Sequence, residues 1–238
     1  MMNPPPPPAL VWTKEQRAPS RRAPSVDRIV HTAVDIADRE GLDAVSMRRV
    51  AAALASGTAS LYRYVAGRDD LLDLMIDAVH GAAPMPALTG DWRTDLRAVA
   101  EHTRATLIRH PWLGTELTGR PALGANSLRL HDIALTAAGS FTRDITLAAA
   151  VVDTVQAYVF GAVAQQLAED KAQRRTGLTE AQWQQSVAPY IRGVLDSGDY
   201  PEFARRVREA ADPDAAQRFA FGLECVLDGI AARRPDQL

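Results

Sequence analysis

Ser46-Met-Arg-Arg-Val-Ala-Ala-Ala-Leu-Ala-Ser-Gly-Thr-Ala-Ser-Leu-Tyr-Arg-Tyr-Val65 decides how this chain is read. The stretch has the pattern of two short helices separated by a tight turn at Ala55-Ser56-Gly57. The second helix, expected from about Thr58 to Val65, turns Leu61 and Val65 inward. It leaves Thr58, Ser60, Tyr62, Arg63 and Tyr64 outside. Small polar groups, an arginine and aromatic hydroxyls at that density suit base edges and the phosphates beside them. An ordinary helical hairpin is the bland alternative. It does not explain so polar a helix directly after a tight turn, braced by a helix before it.

Working outward, Ser46 is placed to cap the helix that runs to about Leu54, and Val45 with Val50 forms a hydrophobic staple. Upstream, Ser25 caps a first helix and Asp27 lies in its first turn, where the helix dipole favours an anion. Val26, Ile29, Val30, Ala33, Ile36 and Ala37 recur at helical spacing until Gly41. Downstream, a fourth helix starts near Asp69 and Asp70 and carries Leu71, Leu72, Met75, Ile76 and Val79 as an apolar stripe. Pro84 and Pro86 then place a domain boundary near residue 85. Residues 1–24, rich in proline and arginine, are expected as a flexible arm. Its Arg17, Arg21 and Arg22 either follow a DNA backbone or act as solvated spacers.

Charge supports the polar reading only locally. The 238 residues carry a formal net charge of -2, so the protein as a whole is not drawn to nucleic acid. Between Lys14 and Arg68, however, ten cations face six anions. The composition, 47% hydrophobic and 6% aromatic, suits a packed helical protein built on Ala, Leu and Val. Cys225 is the only cysteine and reads as a small buried hydrophobe, consistent with a reducing compartment. No signal peptide and no apolar run of spanning length is read, so a soluble, cytoplasmic protein without a membrane partner is expected.

Past residue 85 the periodicity lengthens. Helices are expected over 91–109, over about 126–138 and over 142–170. A further one is opened by the capping-box spacing of Thr179 and Gln182, a short one by Pro201, and a last one follows Asp212-Pro213. An irregular segment spans Trp112 to Gly124. No nucleophile elbow, phosphate loop, zinc-protease motif or dinucleotide fingerprint is present, so no enzyme, cofactor or metal site is expected.

Residues 25–80 resemble the DNA-binding domain of the tetracycline-repressor (TetR) family of bacterial transcription regulators. Gly41-Leu-Asp-Ala-Val-Ser-Met-Arg-Arg-Val-Ala51 matches the family's entry into its second helix. Leu61-Tyr-Arg-Tyr-Val65 and Arg68-Asp-Asp-Leu-Leu72 match the end of the recognition helix and the start of the fourth. The resemblance implies a base contact for Arg48 and groove-facing positions for Thr58, Ala59 and Ser60. It implies phosphate contacts for Ser46, Tyr62, Tyr64 and Arg68, and either role for Arg63; Tyr62 also fits simple packing. The turn departs from the pattern: Ala55 stands where glycine is usual, Ser56 where an apolar residue is usual, and Gly57 where a capping serine is usual. Ser56 therefore competes as the cap, and the start of the third helix stays open.

The second half, 85–234, resembles the family's ligand-binding and dimerisation domain more loosely, through His110-Pro-Trp-Leu113 and Arg120-Pro-Ala-Leu-Gly124. The implied fold is all-α, a three-helix reading head plus a larger helical bundle. The implied homodimer pairs the helices near 142–170 and 214–232, with Ala148, Gly161, Ala162 and Gly222 permitting close approach either across subunits or within one. Candidate effector contacts are Leu96, His102, Thr103, Thr106, Trp112, Leu128, His131, Val155 and Tyr158, each of which also fits plain core. The implied function is repression from a palindromic double-stranded DNA operator, released when a small apolar or aromatic effector shifts the fourth helix as a lever. Activation is the opposite sign of the same device. The rival reading is an all-helical small-molecule carrier or enzyme with an incidental hairpin.

Overall fold

The computed structural model describes residues 11–13, 25–117 and 122–233, which hold eleven α-helices and no strand. They form two compact units, one running to Gln156 and the other spanning Ala157–Ala232.

In the first unit, α1 (Val26–Glu40) buries Ile29, Val30, Ala33, Ile36 and Ala37, and the Ser25 hydroxyl accepts from the Arg28 N–H at 3.3 Å. The Ser46 hydroxyl caps α2 (Met47–Ala53) by accepting from the Arg49 N–H at 3.1 Å. Val45 and Val50 are both buried, as the staple requires. The reading helix is shorter than its periodicity suggests. α3 is only Thr58–Leu61, with Gly57 rather than Ser56 in the cap position and no side-chain cap. Beyond Leu61 the Tyr64 N–H turns back to the Leu61 carbonyl at 2.9 Å, a three-residue bond that tightens the chain out of the α-helix. Leu61 and Val65 are nonetheless fully buried.

Ala55 adopts φ 49°, the left-handed conformation that glycine takes without strain. Ala55→Gly should therefore raise the unfolding free energy by about 1 kcal/mol, the strain relieved less the flexibility gained by the unfolded chain. Chemical denaturation of both proteins checks this; a destabilised Gly variant would contradict it.

α4 (Arg68–His80) leads into a connection held by Asp95, whose carboxylate accepts from the Thr89 N–H, the Thr89 hydroxyl and the Gly90 N–H at 2.8, 2.7 and 3.0 Å. α5 (Trp92–Arg109) starts on an Asp91 cap. The segment expected as irregular contains one turn of helix, α6 (Leu113–Glu116), before α7 (Ala125–Gly139). The first unit takes in residues on both sides of position 85, and within it groups on α1 and α4 bond directly to residues 110–127. Within the expected arm, Val11–Thr13 forms a 3-10 turn with Val11 buried near α4. Arg17, Arg21, Arg22 and Arg120 lie outside the described residues.

α8 (Ile145–Thr176) is longer than expected and crosses the division. Contrary to the expectation from sequence, it holds an 18-residue window of mean hydropathy 1.6, apolar enough by length and composition to cross a membrane. Val151, Val152, Val155, Val159 and Val163 give it that character, and each is buried against protein. In the second unit α9 (Glu180–Ser197) opens with the expected Thr179–Gln182 capping box and is followed by α10 (Pro201–Glu209). α11 (Ala215–Ala231) opens with a second such box, Asp214 with Gln217, one residue past the expected Asp212-Pro213. The Tyr158 hydroxyl donates to the Phe219 carbonyl at 2.7 Å, and a Cβ on Gly222 would collide with the Tyr158 ring. Gly222 therefore serves packing within the subunit. Gly161, by contrast, is exposed with nothing around it.

Candidate nucleic-acid interface and effector site

The two short helices raise their polar groups on a rigid apolar base of Val50, Leu61 and Val65. Thr58, Ala59 and Ser60 make up the first turn of α3. Arg63 extends beside them: its Nη2 donates to the Ser60 hydroxyl at 3.1 Å, and its guanidinium lies 6.0 Å from the centre of the Tyr64 ring. Tyr62 is 52% exposed. The structure thus gathers the stretch from Thr58 to Tyr64 into one polar surface. Arg68, at the start of α4, reaches only weakly to the Leu42 carbonyl, at 3.5 Å.

Neighbouring arginines on α2 differ sharply. Arg49 is committed to Glu40 at the end of α1, Nη2 to Oε1 at 2.6 Å, and this hydrogen bond holds the Glu40 carboxyl below its ordinary range. Arg48 is exposed beside it. The resemblance points to Arg48, and the pairing of Arg49 with Glu40 supplies a physical reason for the distinction.

The candidate effector residues scatter in their surroundings. Leu96, Thr106 and Val155 are buried, Thr103 and His102 are partly so, and Leu128 and His131 are exposed. The Thr103 and Thr106 hydroxyls donate to the carbonyls of Val99 and His102 in their own helix, at 2.9 and 3.0 Å. Trp112 is buried, but its Nε1 donates to Asp38 of α1 at 2.8 Å, and His110 Nδ1 meets the same carboxylate at 2.9 and 3.0 Å. Tyr158 spends its hydroxyl on α11. A groove of about 550 Å³ between α9 and α10, lined in part by Trp183, Ile191, Leu195, Phe203 and Val207, contains none of the expected effector residues. Among the described residues no group of three or more His, Cys, Asp or Glu could hold a metal ion.

A second joint ties the reading head to the following helices, and sequence reasoning missed it. α7 begins at Gly124, which has no side chain to cap it. Asp77 of α4 supplies the cap from another helix. Its Oδ1 accepts from the N–H groups of Asn126 and Ser127 at 2.8 and 3.0 Å and from the Ser127 hydroxyl at 3.2 Å, while Oδ2 accepts from Asn126 Nδ2 at 3.1 Å. A Cβ on Gly124 would occupy the space of that carboxylate. Because the Ser127 hydroxyl donates to Asp77, it accepts from His80 Nδ1 at 2.8 Å, which fixes the imidazole proton on Nδ1.

Burial holds the His80 imidazole below its ordinary pKa; Asp77 opposes this and nearby His102 reinforces it. Burial also lowers His102. Both rings are therefore harder to protonate in the folded state than in the unfolded chain, where they bind protons below about 6.5. Stability should therefore be level above about pH 6.5 and fall as pH drops through that value toward the folded-state pKa. Thermal melts near pH 7.5 and 5.5 test this, and a midpoint that holds or rises at the lower pH would contradict it.

A short polar helix on a buried base, braced by a capped helix and bonded to a helical second part, defines a helix-turn-helix DNA-binding regulator. Residues 29–75 match the profile described as bacterial regulatory proteins, tetR family, and residues 84–234 match that of the tetracyclin repressor-like C-terminal domain. The chain belongs to the tetR family. It is 42% identical over 226 residues to the HTH-type transcriptional repressor DrrR1 of Streptomyces coeruleorubidus, covering 93% of this chain and 83% of that one. It is 33% identical to an HTH-type transcriptional regulator of Saccharopolyspora erythraea, covering 94% and 92%. Among solved structures it is similar to ActR of Streptomyces coelicolor in complex with actinorhodin, with TM-score 0.71, 30% identity and coverage of 89% and 97%.

Proposed function

We propose that the protein is a ligand-released repressor that binds a palindromic operator as a homodimer in the bacterial cytoplasm. The observation that carries this is the polar surface of Thr58–Tyr64 with Arg48 and Ser46, raised on buried Val50, Leu61 and Val65. One such head covers a short half-site. Two heads related by symmetry read half-sites about 34–36 Å apart. The faces of α8 and α11 that leave Ile145 67% and Phe221 74% exposed support pairing of those helices between subunits. Effector binding in the second domain then moves α4 and spoils the match to the operator. It does so only as far as the effector prefers the non-binding arrangement. Since ActR has been solved with actinorhodin, a compound handled in that way is the effector this reading favours.

Fluorescence anisotropy with palindromic DNA from beside its own gene tests the reading, together with sedimentation to establish the dimer. The expected result is sequence-preferring binding that weakens linearly in log salt, and that actinorhodin reverses. A carrier with an incidental hairpin would bind such DNA without preference. A monomer, or binding indifferent to sequence, would remove the regulator reading.

A further inference from the structure

His102 Nε2 is fully enclosed and, alone among the buried side-chain nitrogens and oxygens of the described residues, has no hydrogen-bond partner. Such an atom has given up water for nothing, a cost proteins rarely leave in place without a use for it. Nearby hydroxyls are already committed. Thr103 donates to Val99 and Thr106 to the His102 carbonyl, while Ser127 lies between Asp77 and His80. On the same helix, α5, Leu96, Val99 and Leu107 are apolar and buried.

We infer that His102 Nε2 is the polar anchor of the effector site and that it takes a hydroxyl group on an otherwise apolar molecule. This rests on the effector-binding reading above and names the chemistry of that site. A neutral imidazole nitrogen either accepts or donates according to its tautomer. A hydroxyl does both, so it completes the bond in either case. His102 is one of the groups whose charge bears on His80. From His80 the hydrogen-bonded sequence through Ser127 ends on the Asp77 carboxylate of α4. Occupation of His102 is thereby felt beside the residue that joins α4 to α7.

The test titrates full-length protein, labelled with 15N in its histidine rings, with 1-naphthol and with naphthalene. 1-Naphthol should bind at least ten-fold more tightly and move the His102 Nε2 resonance, while naphthalene leaves it in place. His102→Phe should abolish the preference between the two probes, and His102→Gln, which keeps a hydrogen-bonding group, should restore part of it. In Ser127→Ala, 1-naphthol should still bind but should no longer weaken operator affinity. Equal affinity for the two probes overturns the inference, as does a preference that survives in His102→Phe, or an unmoved Nε2 resonance, which would mean that only water pairs with it. Operator binding by the wild type without a probe tests the regulator reading separately, so the two failures are distinguishable.

Discussion

Asp77→Ala should lower the unfolding free energy by about 3–5 kcal/mol, since one buried and one part-buried backbone donor and a buried hydroxyl lose their acceptor at about 1–3 kcal/mol for each group left unpaired. The Asn126 and Ser127 N–H groups at the start of α7 have no capping side chain of their own, because Gly124 precedes them. Urea unfolding measures the loss. Ser127→Ala, which keeps both backbone bonds to Asp77 but leaves the His80 Nδ1–H without its acceptor, should cost about 1–3 kcal/mol. An Asp77→Ala loss no larger than that would show that the carboxylate does not hold this joint.

The second large effect falls on DNA. Arg48→Ala should weaken operator binding by roughly 30-fold or more, from about 1–3 kcal/mol at each of two half-sites. Arg49→Ala should cost only about three-fold, because its guanidinium is held by Glu40 at 2.6 Å and screened exposed pairs contribute little. Anisotropy at several salt concentrations separates the roles further. Removing a base contact leaves the salt slope nearly unchanged, whereas removing a phosphate contact reduces it by about one. Equal losses in the two variants would overturn the distinction.

What sequence disclosed about this protein was local. Ser25, Ser46 and Thr179 announced helix starts because a cap and its N–H partner lie three residues apart. The family resemblance rests on short local segments, Gly41–Ala51, Leu61–Val65 and Arg68–Leu72, and the family profile matches over the same region. The third helix was overextended because Leu61 and Val65 keep helical spacing even where the backbone tightens into a turn. The joints were invisible for the opposite reason. Asp77 meets Ser127 50 residues away and Asp38 meets Trp112 74 residues away, and nothing in either neighbourhood signals the other. Arg48 and Arg49 are adjacent and chemically alike; the resemblance points to the first, and the position of Glu40 gives the physical reason. The orphaned nitrogen of His102 is likewise a property of what surrounds it, which no spacing encodes.

The Asp38 carboxylate, shared by the His110 imidazole and the Trp112 indole, has a kinematic consequence when taken with Asp77. A rigid piece screwed down at a single spot can wobble in every direction. Fastened at two separate spots, α1 through Asp38 and α4 through Asp77, it keeps only a swing about the line joining them. Chemically unlike inducers would then drive the same arc, and would differ in how far they turn it rather than in which way.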